Sequence, residues 1–249
     1  MSKTAEAKTA KTATRQGWRF SAETLSILKN FSGIRNSILV EAGNTLSTLS
    51  PGKNILGEAK VQETFDREFA IFDLNQFLGV IGLFDDPIFL WDEKWVVIRG
   101  KDGTEIKYIY ADRSVIQIQN KKIKTVPTAV VTFDLTQDQF GQINDAARML
   151  QLPHIRVQSG DEGSIKITAT DMENDSTNSF VLNLDSSAVD PNSTSESFDF
   201  VFDRENLKIL PGDYTVSISD KFVSKFVHKQ KELSYWITLE SISDNGNKE

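Results

Sequence analysis

The stretch that decides the fold is EFAIFDLNQFL, residues 68–78. Its first residues alternate in a pattern typical of a strand, whereas Leu74, Phe77 and Leu78 are spaced like one face of a helix. Asp73 stands where the period changes, and its side-chain oxygen can accept a hydrogen bond from a free N–H group at a helix start. The stretch therefore predicts a strand that ends at Phe72, a capping residue and a short amphipathic helix.

This unit of a phenylalanine, a capping residue and a helical pattern occurs four times. The pairs are Phe20-Ser21, Phe72-Asp73, Phe133-Asp134 and Phe202-Asp203. The first and third pairs open the two halves of the chain, and the second and fourth lie midway through them. This placement predicts a duplicated chain with four helices, because internal repeats of this kind mark repeated structural units.

Between the helical units lie about sixteen short β-rich runs bounded by turn residues. Most of these runs are consecutive, so they predict antiparallel sheets with helices packed on one face. The predicted fold class is α+β, with two similar domains that each carry two helices. The predicted segments are a disordered basic tail over 1–17, an N-terminal domain over 18–115, a connector over 116–127, a C-terminal domain over 128–242 and a polar tail over 243–249.

Composition limits the possible classes of protein. The 249-residue chain has a formal net charge of −7 and no cysteine, which excludes disulfides, thiolate zinc sites and cysteine nucleophiles. The longest apolar stretch, residues 69–84, is interrupted by Asp73, Asn75 and Gln76, so no membrane span is expected. An acidic chain is expected to repel nucleic acid unless its cations are concentrated on one surface.

No motif predicts catalysis. The two histidines, His154 and His228, lie far apart in the sequence and have no metal-ligand spacing. Neither a phosphate-binding glycine loop nor a Gly-x-Ser-x-Gly elbow is present. Asp85 and Asp86 precede Pro87, which is typical of a turn that ends a helix. We therefore expect a protein that is not an enzyme and that has no metal or cofactor.

Four cations fall on the repeated helical units, off or at the edge of their apolar stripes. They are Lys29, Arg148, Arg204 and Lys208. Arg204 and Lys208 are four residues apart, so a helix would place them on one face. Helices lying side by side would turn these cations into a locally basic surface, although ordinary solvated helix faces would give the same pattern.

Three segments resemble the DNA polymerase sliding clamp of T-even-type bacteriophages. They are LKNFSGIRNSILVEAG (28–43), EFAIFDLNQFLGVIGLFDDP (68–87) and NLKILPGDYTVSIS (206–219). The resemblance extends over about residues 20–240 and is poorest over about 94–125. It implies a two-domain protomer in a head-to-tail homotrimeric ring, with helices around a central hole and sheets on the outer rim.

The resemblance also implies a function. The ring would encircle duplex DNA, contact only its backbone, and tether the phage DNA polymerase so that synthesis becomes processive. The four cations would face the DNA. A clamp loader would open the ring, and some clamps of this type couple to late transcription. The implied location is the cytoplasm of the infected bacterial host, with no membrane partner.

Two further sites follow from the resemblance. An unpaired edge strand in each domain, at 105–110 and 179–184, would form the joint between protomers, through Ile106, Tyr108, Tyr110, Phe180 and Leu182. An apolar groove near the connector would receive partner peptides and would include Val126, Pro127, Leu210, Pro211 and Tyr235. The groove residues fit a buried core equally well.

The absence of catalytic motifs also fits a different class of protein. A non-catalytic, β-rich structural or adaptor protein, such as a virion-associated one without nucleic acid binding, would lack the same motifs. The fourfold strand–helix pattern and its cations favour the clamp, because a structural β-sandwich has no need of them.

Overall fold

A computed structural model of the chain describes residues 17–116, 128–174, 176–193 and 197–241. These residues form three α-helices, α1 (Ala22–Ile34), α2 (Leu74–Ile81) and α3 (Gln137–Met149). They also form fifteen strands, close to the predicted number. The strands are β1 Ile38–Val40, β2 Gly43–Leu49, β3 Ile55–Phe65, β4 Phe69–Ile71, β5 Ile88–Trp91, β6 Trp95–Arg99, β7 Glu105–Ile109, β8 Ala129–Leu135, β9 His154–Ser159, β10 Ile165–Thr170, β11 Phe180–Leu184, β12 Asp199–Asp203, β13 Tyr214–Ser219, β14 Val223–His228 and β15 Leu233–Thr238.

Side-chain caps set the helix starts. The Ser21 hydroxyl accepts from the Thr24 N–H at 3.1 Å, and Asp73 accepts from the Gln76 N–H at 2.8 Å, as the sequence predicts. The third helix starts after Thr136, but its cap is Thr136 and not the Asp134 of the repeated pair, because β8 continues through Leu135. None of the helices within the described ranges is long and apolar enough to cross a membrane.

The fourth predicted helix is absent from the described residues. Asp203 does cap a turn, but its side chain accepts from the Glu205 N–H at 2.8 Å and the 3₁₀ turn ends at Asn206. Pro211 disfavours the α conformation at Leu210, which leaves too few residues for a second helical turn. The second half of the chain therefore has one α-helix where the sequence predicts two.

The two halves of the chain share one sheet. Its strand order is β2-β3-β15-β14-β13-β8, and every pairing in it is antiparallel. β15 pairs with β3 across the halves, with Leu233 opposite Ala59 and Ile237 opposite Ile55. The other sheets are β1-β4, β5-β6-β7 and β11-β10-β9-β12. α1 packs on β2, β3 and α2, and α3 packs on β10 and β11, so the predicted α+β class is confirmed.

A hydrogen-bond network centred on the buried Tyr235 fixes α1 of the first half against the second half. The Tyr235 hydroxyl donates to the Asn30 side-chain oxygen at 2.7 Å and accepts from the Leu210 N–H at 3.2 Å. The Asn30 amide donates to the Lys208 carbonyl at 3.2 Å. Tyr235 is fully buried in the main hydrophobic core, which contains residues of both halves. Burial raises the pKa of its hydroxyl.

We predict that Tyr235→Phe lowers the free energy of unfolding by about 1–3 kcal/mol, because it leaves the buried Leu210 N–H and the half-buried Asn30 amide oxygen without their partner. Chemical denaturation of the purified protein would measure this loss. Tyr110→Phe is the matched control, since the Tyr110 hydroxyl has no hydrogen-bond partner among the described residues. Equal effects of the two substitutions would contradict a special role for Tyr235.

Candidate nucleic-acid interface and subunit joint

The contact between the two halves at Asn30 and Lys208, called the seam below, carries two of the predicted cations. Lys29 is exposed on α1 and makes no ion pair with the described residues. The next residue, Asn30, is hydrogen-bonded to the carbonyl of Lys208 at 3.2 Å. The seam therefore carries one cation from each half, 179 residues apart in the sequence.

Carboxylates neutralise three of the four predicted cations in part. Glu205 lies 3.0 Å from Arg204 and 3.6 Å from Lys208, and Asp145 lies 2.8 Å from Arg148. Arg204 and Lys208 do not share a helical face, because the 3₁₀ turn ends between them. The resulting surface has a sparse positive charge.

The helix surfaces differ in charge. α2 carries no cation, and its exposed positions include Asn75, Gln76 and Gly79. Among the three α-helices and the 204–208 segment, positive charge therefore lies on α1, at the end of α3 and on the segment itself. Electrostatic attraction to an anion would be localised there.

Sequence reasoning missed one cation near α1. Lys231, in the turn between β14 and β15, lies 2.9 Å from Glu23 at the first turn of α1. No local pattern could group these residues, since the pairing of β15 with β3 brings them together.

Glu63 on β3 holds the start of α1. Its carboxylate accepts hydrogen bonds from the Ser21 N–H and the Thr24 hydroxyl. Burial acts to raise the pKa of Glu63, but these hydrogen bonds outweigh burial and leave the pKa below its ordinary value. Glu63 therefore positions the helix that carries Lys29.

The predicted joint strands both lie at sheet edges. Among the described residues β7 pairs only with β6, and β11 pairs only with β10. The two strands are each five residues long, and both have alternating exposure. Each therefore leaves one row of backbone N–H and C=O groups unpaired by its own sheet.

The side chains named for the joint are half-buried against the helices and core. Ile106 and Tyr108 are half-buried, and the Tyr108 ring lies 5.0 Å from that of Phe77 on α2. Burial raises the pKa of the Tyr108 hydroxyl, with a smaller contribution from Asp73. Phe180, Leu182 and Tyr110 also pack against the core, and Tyr110 follows the end of β7.

Large apolar side chains lie exposed on these edge strands and at the ends of the helices packed beside them. Ile109 on β7 is 69% exposed and Val181 on β11 is 43% exposed. Leu83, just beyond α2, is 72% exposed, and Met149, at the end of α3, is 75% exposed. Such surface suits contact with another chain.

The predicted partner groove is contradicted at two positions. Leu210 and Tyr235 are buried in the core, so neither side chain is open to a partner, whereas Pro211 is exposed. Val126 and Pro127 lie outside the described residues. A separate apolar cluster lies beside the main core, formed by Leu49, Leu56 and Trp236.

Trp236 differs from its neighbours in the shared sheet. Side chains alternate along β15, so Trp236 faces away from the side on which Tyr235 and Ile237 lie. The Lys225 ammonium lies 5.1 Å above the Trp236 ring, and the indole N–H has no partner among the described residues. The alternation of Leu233, Tyr235 and Ile237 could have shown this from the sequence.

The histidines have ordinary structural roles. His154 Nδ1 accepts from the Met172 N–H at 3.2 Å, and His228 Nδ1 accepts from the Gln230 N–H at 3.1 Å. Within the described part of the chain, no three histidine or carboxylate side chains group in a way that could hold a metal ion.

The fold is that of sliding clamps. The structure matches a crystal structure of proliferating cellular nuclear antigen from Entamoeba histolytica with a TM-score of 0.66, at 11% identity, over 88% of this chain and 95% of that one. This likeness concerns the fold alone.

Sequence comparisons define the family. A family model described as "gp45 sliding clamp, C terminal" matches residues 132–241. The sliding clamp of Vibrio phage KVP40 is 31% identical over 90% of this chain and all of the relative, and that of Escherichia phage RB69 is 30% identical over 90% and 98%. The chain belongs to this phage sliding clamp family, as the resemblance indicates.

We predict that Glu63→Gln destabilises the fold at neutral pH by about 1 kcal/mol, because a neutral amide accepts more weakly at the start of α1. A carboxylate with a lowered pKa stabilises the fold above its unfolded pKa and loses that stabilisation as the pH falls through its folded pKa. The variant should therefore lose less stability than the wild type between neutral pH and about pH 3.

Denaturation curves at several pH values would check this. Glu58→Gln on the same strand is the control and should change little, since no hydrogen bond to the Glu58 side chain is seen among the described residues. An unchanged acid dependence in Glu63→Gln would contradict the role assigned to Glu63.

Proposed function

We propose that this chain forms a closed homotrimeric ring that encircles duplex DNA and tethers a DNA polymerase, without catalysis of its own. Membership of the phage sliding clamp family supports the class of function. The observation that carries the ring itself is the pair of unpaired edge strands, β7 in the first half and β11 in the second. The ring acts in the cytoplasm of the infected bacterium.

The joint follows from the physics of strand edges. Pairing β7 of one protomer with β11 of the next continues both sheets and satisfies backbone groups that each protomer leaves open. The two surfaces differ, so the contact is head-to-tail and closes into a ring when the rotation per protomer allows it. Ile109 and Val181 would be covered by this contact.

The cations suit a ring that slides. Lys29, Arg148, Arg204 and Lys208 attract the DNA backbone, and Asp145 and Glu205 moderate that attraction. Each neutralised phosphate adds a salt-dependent contribution to affinity, so a few cations hold the duplex loosely. Closure of the ring keeps the protein on DNA, while the DNA sequence goes unread.

Tethering to the ring raises the effective concentration of the polymerase at the primer end. A polymerase bound to the ring stays near the primer end even after it releases the DNA, and this raises processivity. We place its docking site near the connector and the exposed Pro211. A clamp loader opens the ring, and a link to late transcription is a further proposal.

The joint is tested by the native mass. We expect the wild type near three times 27.9 kDa, and Ile109→Asp or Val181→Asp as monomers, because a charge buried in an apolar contact is costly. Val227→Asp is the matched control, as Val227 is a partly exposed residue on the interior strand β14. Analytical ultracentrifugation would measure the masses.

Two results would oppose the joint. A trimer retained by both edge variants would remove β7 and β11 from it. Loss of the trimer in Val227→Asp alone would place the contact elsewhere.

The DNA surface is tested by charge reversal. Changing Lys29, Arg148, Arg204 and Lys208 to Glu should weaken binding to duplex DNA by about tenfold or more at low salt and flatten its salt dependence. Clamp-dependent synthesis should fall, while the trimer persists. Fluorescence anisotropy and primer extension with polymerase and loader would measure these effects.

The control changes the same net charge away from the helices. It reverses Lys53, Lys94, Lys166 and Lys221, which are exposed on turns and strands. Full stimulation of synthesis by the helix-side variant, or an equal loss in the control, would reject the assignment of these four residues.

A further inference from the structure

An open cleft of about 520 Å³ lies in the first half of the chain, close to Tyr110 at the end of β7. It is formed where β3 ends, β4 begins and β5 ends. Its lining includes the aromatic residues Trp18, Phe65, Phe69 and Trp91 and the charged residues Asp66, Arg67, Asp92 and Glu93.

The aromatic wall is a packed cluster with half-exposed indoles. The Trp18 and Trp91 rings lie 5.3 Å apart at a steep angle, and Phe69 lies 4.7 Å from Trp91. Tyr110 stacks on Phe69 at 5.4 Å, and its hydroxyl has no hydrogen-bond partner among the described residues. Indole faces of this kind attract cations.

The charged rim is acidic. Three carboxylates face one guanidinium, and that guanidinium is already held by Asp66 through two hydrogen bonds of 3.0 Å. Glu93 is exposed and makes no ion pair with the described residues. Lys94, the residue that follows Glu93, is exposed to solvent. The cleft therefore favours a positively charged occupant.

The position of Trp18 indicates which positively charged segment of the chain could occupy the cleft. Two backbone hydrogen bonds, of 3.3 and 2.8 Å, fix Trp18 to Phe89 at the cleft wall. Residues 1–16, outside the described ranges, precede this point directly. They carry Lys3, Lys8, Lys11 and Arg15 against Glu6.

We propose that the amino-terminal segment, residues 1–16, docks into this cleft of its own protomer through its lysines and arginine. Charge complementarity and direct covalent attachment both support this occupant, since a linked segment has a high effective concentration at its own site. Arg15 lies within roughly 10 Å of chain from Trp18, and Lys8 within roughly 35 Å, so both reach the cleft. The proposal is independent of the proposed ring function.

Zero-length cross-linking of the full-length protein tests the docking. A carbodiimide joins a lysine amine to a carboxylate in direct contact, and mass spectrometry of the digest locates each link. We expect links from Lys3, Lys8 or Lys11 to Asp66, Asp92 or Glu93. They should weaken at about 1 M salt, where the Debye length is about 3 Å.

A charge-reversal pair sharpens the test. Glu93→Lys should lower the links to the remaining cleft carboxylates by roughly threefold, because the added cation repels the segment. Glu173→Lys makes the same charge change at an exposed site in the second half and should leave the links unchanged. An isotopically mixed sample separates links within a chain from links between chains.

Three outcomes would overturn the proposal. The first is the absence of tail-to-cleft links, and the second is their even spread over exposed carboxylates such as Glu173. The third is a set of links that occur only between chains, which would place the segment on a neighbouring molecule. Failure here would leave the trimer and the DNA surface untouched, and loss of those would leave the cleft proposal standing.

Discussion

The rest of this structure depends on the pairing of β3 with β15 across the two halves of the chain. That pairing makes one six-stranded sheet from strands of both halves and gives them a common core. It also brings Asn30 on α1 against Tyr235 and the carbonyl of Lys208. The cations at the seam are thus neighbours because of a sheet that neither half could complete alone.

Two further sheets outside this shared sheet leave open edges. Within the described chain, the edge strands β7 and β11 each pair on one side only. Natural proteins cover, shorten or charge such edges, because an open edge invites another chain. Both strands here are only five residues long, but Ile109 and Val181 add exposed apolar surface to them. In the proposed ring, the edge that would be a liability in a monomer becomes the joint between protomers.

The proposed function requires a protein that repels DNA over most of its surface and attracts it at a few cations. The chain as a whole is acidic and is expected to repel DNA, whereas in the proposed ring Lys29 and its neighbours would attract it locally. Asp145 and Glu205 weaken that attraction by direct ion pairs. Exposed pairs of this kind contribute little to stability, so their effect on the local potential is the more relevant one.

The sequence by itself determined the features that depend on near neighbours. Period changes and caps located α1 and α2, and turn residues bounded strands such as β5 and β6. The prediction of a helix after Asp203 is wrong, because Pro211 limits the length of that segment. The proline is visible in the sequence, although the repeat pattern favours a helix there. Only the tertiary structure decided that Tyr235 is core and that Lys231 meets Glu23. The physical reason is that strand pairing and burial join residues far apart in the chain, and local periodicity carries no information about which distant strand becomes the partner.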